Sequence, residues 1–116
     1  MEWRPTTPEV SPDGFDEVIS SHRMILLHFW AGWNQYDRGM DAALAEIRSE
    51  YEGQVFFGSV DSDHHGHWQK CRELGILNLP AITFFADGKH IETMIGMRPK
   101  EELSKKIREW IIASLV

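Results

Sequence analysis

The chemistry open to this chain is limited by its sulfur, because Cys71 is its only cysteine in 116 residues. No disulfide can form within the chain, and a thiol reaction would have to run through Cys71 alone or borrow a partner's thiol. Such a reaction needs an exposed sulfur with a lowered pKa, and nothing adjacent to Cys71 in sequence ensures either. Its spacing with Leu74 instead places it on the inward side of a short helix, where cysteine packs as a small apolar residue. A second concentration of reactive groups is Asp61-Ser62-Asp63-His64-His65-Gly66-His67, with five potential metal ligands in seven residues. Asp63, His64, His65 and His67 are the candidate ligands. Adjacent histidines point in different directions and no thiolate lies nearby to complete a zinc tetrahedron. A solvated loop is therefore the expectation, with no metal or other cofactor assigned.

The elements that must position these groups follow from apolar periodicity. Asp13 to Ser21 sets Phe15, Val18 and Ile19 on one helical face. Met24 to Trp30 is a nearly continuous apolar run interrupted only by His28, as in a central strand covered on both sides. From Gln35 to Tyr51, Tyr36, Met40, Ala43, Leu44 and Ile47 recur at three and four with charged residues between them, which predicts the strongest helix. Gln54 to Val60 is β-rich, so a strand, helix, strand unit with a parallel pair is expected. Trp68, Cys71, Arg72 and Leu74 fall on a short helix stopped by Gly75, and Trp68 and Trp110 read as core or helix-covering aromatics. Ala81 to Phe85 and His90 to Ile95 flank an Asp87-Gly88 turn signal and should form a hairpin, with His90 and Glu92 on its wet face. Pro99 suits the first turn of a last helix with Leu103, Ile107, Trp110 and Ile111 as its buried stripe. Met1 to Pro12 reads as an entry arm that contributes a short edge strand near Thr6 to Val10.

Length and composition bound the function. With 42% hydrophobic and 11% aromatic residues, the chain is sized for one globular domain over residues 1–116, residues 1–12 being the arm. The formal charge of −6 comes with interleaved signs and no Lys/Arg block, so nucleic acid and anionic membranes are not expected partners. No apolar run reaches spanning length, and the first ten residues hold two prolines and no signal-peptide core, so a cytoplasmic location is expected.

That element order, with Phe29-Trp30-Ala31-Gly32-Trp33, Val60-Asp61, Gly75-Ile76-Leu77-Asn78-Leu79-Pro80-Ala81, Phe84-Phe85-Ala86-Asp87-Gly88-Lys89 and Gly96, resembles thioredoxin over almost the whole chain. The resemblance implies an α/β thioredoxin fold, a central mixed sheet of four to five strands flanked by helices on both faces. The family's Trp-Cys-Gly-Pro-Cys-Lys motif aligns with Trp33-Asn34-Gln35-Tyr36-Asp37-Arg38, which puts Asn34 and Asp37 at the two redox cysteine positions. Neither side chain can attack a disulfide. The family's buried acid aligns with His28 and its lysine partner with Phe57, so the proton relay is replaced as well. At the start of the helix, Asn34 and Asp37 are expected to cap N–H groups and complement the dipole. The family geometry sets His28 beneath Asp37; a direct or water-bridged contact and a neutral histidine held by other core groups are both open.

Leu79-Pro80 resembles the family's cis-proline loop, which binds extended peptides through its backbone. Carried over by position, the peptide groove comprises Trp33, Gln35, Tyr36, Asn78, Leu79, Pro80, Gly96 and Met97. The first expectation is a redox-inactive module that binds a protein or extended peptide as an adaptor or chaperone-like domain, without catalysis. The alternative is thiol-disulfide exchange, or a role in redox homeostasis, through Cys71 or a partner thiol. A third is metal binding at the Asp61 to His67 loop.

Overall fold

A computed structural model describes residues 2–116. Phe15–Ser21 forms α1, Met24–Trp30 β1 and Asp37–Arg48 α2, which a single 3-10 turn extends over Ser49–Tyr51. Phe56–Asp61 is β2, a 3-10 turn at His65–His67 leads into α3 at Trp68–Glu73, and Ala81–Ala86 (β3) and Lys89–Ile95 (β4) precede α4 at Lys100–Leu115. The sheet order is β2-β1-β3-β4, with β1 and β2 parallel and the other neighbouring pairs antiparallel.

β1 reads as an apolar run because it is buried on both sides. Met24 and Leu26 face a cluster with Met40 and Leu44 of α2 and Leu103, Ile107 and Trp110 of α4. Ile25, Leu27 and Phe29 face the opposite cluster with Phe15 of α1, Val10 of the arm and Leu74. The period of two along the strand therefore assigns His28 to the α2 side. It is the one strongly polar side chain on that strand, and it is fully buried.

Local chemistry accounts for the connections. Asp87 and Gly88 both take positive φ, 52° and 79°, which matches the twist of a two-residue hairpin loop between β3 and β4. The arm's expected strand is reduced to one parallel bridge, Glu9 with Ser59, in which Val10 N–H and Ser59 N–H each donate across at 2.8 Å. α2 starts at Asp37, two residues later than its apolar pattern suggests, because the chain first makes a side-chain-closed turn at Asn34. Pro99 sits just before α4 with its fixed φ near the helical value, and Leu103, Ile107, Trp110 and Ile111 form the buried stripe. Among the described residues no helix is long and apolar enough to cross a membrane.

Candidate functional site

The carboxyl end of β1, the start of α2, the loop after β2 and the Leu79-Pro80 loop converge on one end of the sheet. Asp37, the first residue of α2, turns its carboxylate down into the protein and is fully buried. Its Oδ1 lies 2.9 Å from Nε2 of His28, and its Oδ2 accepts the Ala31 N–H at 3.0 Å. Both oxygens are therefore engaged below the helix terminus, where the α2 dipole also favours negative charge. Nδ1 of His28 has no hydrogen-bond partner among the described residues. The contact between His28 and Asp37 is direct. Asp37 does not cap helical N–H groups as the sequence suggested; it closes the strand-to-helix connection instead.

Asn34 also differs from a helix cap. Its Oδ1 accepts the Tyr36 N–H at 2.9 Å, an Asx-type turn, and its Nδ2 donates to the Leu79 carbonyl at 3.2 Å. The Leu79–Pro80 peptide bond is cis. The Leu79 N–H is taken as well, by Oδ1 of Asn78 at 2.9 Å. The Leu79 N–H is thus engaged within the chain, and one acceptor position of its carbonyl is occupied.

The loop after β2 does not gather its candidate ligands. Asp63 accepts the Trp33 indole N–H at 3.0 Å, and Nδ1 of His64 accepts the Gly66 N–H at 3.0 Å. The His64 and His65 rings stack at 5.1 Å on the surface, whereas His67 is buried against Phe15. Burial, reinforced by the neighbouring His64, holds the His67 pKa below the ordinary histidine value against the opposing pull of Asp61, the Val10 backbone and Glu9. Among the described residues no three His, Cys, Asp or Glu side chains form a metal-ligand group.

A cavity of about 360 Å³ opens between Trp33 and Trp68, lined also by Asp63, Cys71, Arg72, Ile76, Leu77, Asn78 and Leu79. Of the expected groove residues, Trp33, Asn78 and Leu79 line it. Gln35, Tyr36, Pro80, Gly96 and Met97 do not; Pro80 is buried, and Met97 has its terminal methyl beside Gly39 of α2. Trp68 departs from the interior position its spacing predicts, and Cys71 takes up the expected core packing only in part. Trp68 is 56% exposed and stands as a wall of the cavity, not as core. Cys71 packs against the α1-side core yet is only half-buried, with access to the same cavity. Burial pushes its thiol above the ordinary cysteine value, and the Ser62 hydroxyl and Arg72 offset only part of that. The sequence assigns no site role to Arg72 or Leu77, although the Trp68, Cys71, Arg72 spacing of three and four sets these three on one side of α3.

The site is therefore a strand-to-helix turn with an amide and a carboxylate where the resemblance places two thiols, beside an aromatic-walled cavity holding the single thiol. A family model described as Thioredoxin matches residues 6–109. The chain belongs to the thioredoxin family, whose members are usually thiol-disulfide oxidoreductases. It is 28% identical over 106 residues to the thioredoxin of Synechocystis sp., covering 90% of this chain and 97% of that one. It is 30% identical over 99 residues to the thioredoxin of Listeria monocytogenes, covering 85% and 94% respectively. The oxidised mitochondrial thioredoxin 3 of Saccharomyces cerevisiae superposes with a TM-score of 0.76 at 22% identity, over 89% of this chain and 93% of the other, which is a likeness of fold.

Proposed function

We propose that this chain is a redox-silent member of its family that binds a polypeptide segment on the face around the Asn34 to Asp37 turn, as an adaptor or chaperone-like module. One observation carries the reading: both residues at the family's thiol positions are committed to structural hydrogen bonds. Asn34 ties the turn to the Leu79 loop, and Asp37 is held by His28 and Ala31. Neither is a nucleophile toward a disulfide sulfur. The binding half of the reading is supported by the exposed Trp33 and Trp68 flanking a cavity whose size falls in the usual range for ligand pockets.

Thiol-disulfide exchange through Cys71 is the second reading, favoured by the position of Cys71 on that same cavity. Against it, a thiol with a raised pKa carries less thiolate at neutral pH and is a slow nucleophile. Panning a display library of short random peptides against the wild-type protein tests the proposal. Peptides are expected to be recovered and to lose binding to a Trp33→Ala variant of unchanged thermal stability; recovery of none, or indifference to Trp33, would contradict it.

A further inference from the structure

The proposed binding face leaves open how a partner is held, and three observations bear on that. First, strand pairing at Leu79 meets competition within the chain, since its N–H is given to Asn78 and its carbonyl has one acceptor position taken by Asn34. Second, the cavity beside it is walled by large apolar groups, with Trp33 69% and Leu77 86% exposed to solvent. Third, two charged residues line the cavity and only one is unengaged. Asp63 accepts from Trp33, whereas Arg72 forms no ion pair among the described residues while Lys70 and Glu73 beside it do.

We propose that the cavity between Trp33 and Trp68 receives an apolar side chain of a partner polypeptide, that an adjacent carboxylate of the partner meets Arg72, and that the contact is made without strand pairing to Leu79. This rests on the binding reading above and specifies its partner: a segment with an aliphatic or aromatic anchor next to an aspartate or glutamate. A guanidinium suits that carboxylate because its planar fork can donate two parallel hydrogen bonds. An extended strand would instead have to displace the Asn78 side chain from the Leu79 N–H and share the Leu79 carbonyl with Asn34, which reduces the net advantage of pairing.

Blocked peptide amides with Leu-Asp, Leu-Asn or Leu-Lys at the centre of an otherwise alanine sequence are titrated into the ¹⁵N-labelled protein, following the Trp33 and Trp68 indole signals. The Leu-Asp probe is expected to bind roughly fivefold tighter than Leu-Lys, an order of preference reversed by Arg72→Glu. N-methylating the two backbone amides nearest the anchor should change affinity by less than about threefold, whereas strand pairing predicts a loss of roughly tenfold or more. Equal binding of the Asp and Lys probes, or a large loss on N-methylation, would overturn this inference and leave the broader binding reading standing. Absence of binding by every probe, together with failure of the display selection, would overturn both.

Discussion

Nε2 of His28 and Oδ1 of Asp37 meet at 2.9 Å in a fully buried position, joining the middle of β1 to the first residue of α2. The other oxygen of the carboxylate holds the Ala31 N–H, so one side chain fixes both the strand end and the helix start. A pair with this much shared burial should be strongly coupled. Asp37→Ala strands the His28 nitrogen and the Ala31 N–H together and is expected to cost about 3 kcal/mol or more. In a double-mutant cycle with His28→Leu, measured by urea unfolding, the two losses should be clearly non-additive. Additive losses would mean that the two groups do not act as a pair.

The burial of His67 predicts an acid-sensitive fold. A histidine whose folded pKa lies below its unfolded value stays neutral in the native state while the unfolded chain takes up a proton. Stability is therefore expected to fall as pH drops below the unfolded value near 6.5, and to keep falling until the folded value is passed. Urea midpoints between pH 7.5 and pH 5 check this: His67→Gln should flatten the dependence.

Glu92 works with the same sign from a different cause. Its carboxylate accepts the Trp110 indole N–H at 3.0 Å and faces Lys106 at 3.2 Å, which together hold its pKa below the usual glutamate value. The stabilisation it provides is present above the unfolded carboxylate range and is lost as pH falls through its lowered folded value. Glu92→Gln should reduce the loss of stability between about pH 5 and pH 3, read from thermal midpoints.

Gly58 on β2 has no space for a side chain. A Cβ there would lie 2.8 Å from the Phe56 ring and 3.1 Å from both Leu27 and Val10. Gly58→Ala is expected to destabilise the protein by about 1–3 kcal/mol through overpacking. It should also loosen the arm, because Val10 is one of the groups that must move. Faster proteolysis within the arm, compared with wild type, is the readout.

The elements were legible because their periodicities are unambiguous: β1 is apolar on both faces, α2 repeats at three and four, and Asp87-Gly88 fits only a tight hairpin turn. The pairing of His28 with Asp37 was not visible in spacing, since it joins a strand to a helix, and it was approached only through family geometry. The partner of Asn34 was hidden for a similar reason, lying 45 residues away on the Leu79 carbonyl. Trp68 is exposed and Cys71 packs on the core while staying half-open to the cavity, because helical spacing defines a face without saying what covers it. α3 has only six residues, and the loop that follows it runs past its flank and leaves the cavity open.

Cys71 is predicted to react slowly. With its thiol pushed above the ordinary range, its rate with a neutral disulfide reagent at pH 7.5 should fall below that of free cysteine and rise steeply at higher pH. A rate equal to or above that of free cysteine at pH 7.5 would indicate an activated sulfur.

Reduction of insulin disulfides with dithiothreitol as electron donor separates a redox-silent scaffold from an oxidoreductase. Wild type, Cys71→Ser and the paired substitution Asn34→Cys/Asp37→Cys are compared with dithiothreitol alone. Wild type and Cys71→Ser are expected to match the uncatalysed rate, while restoring both cysteines produces acceleration. Acceleration by the wild-type protein that disappears in Cys71→Ser would contradict the redox-silent reading and establish a single-thiol oxidoreductase.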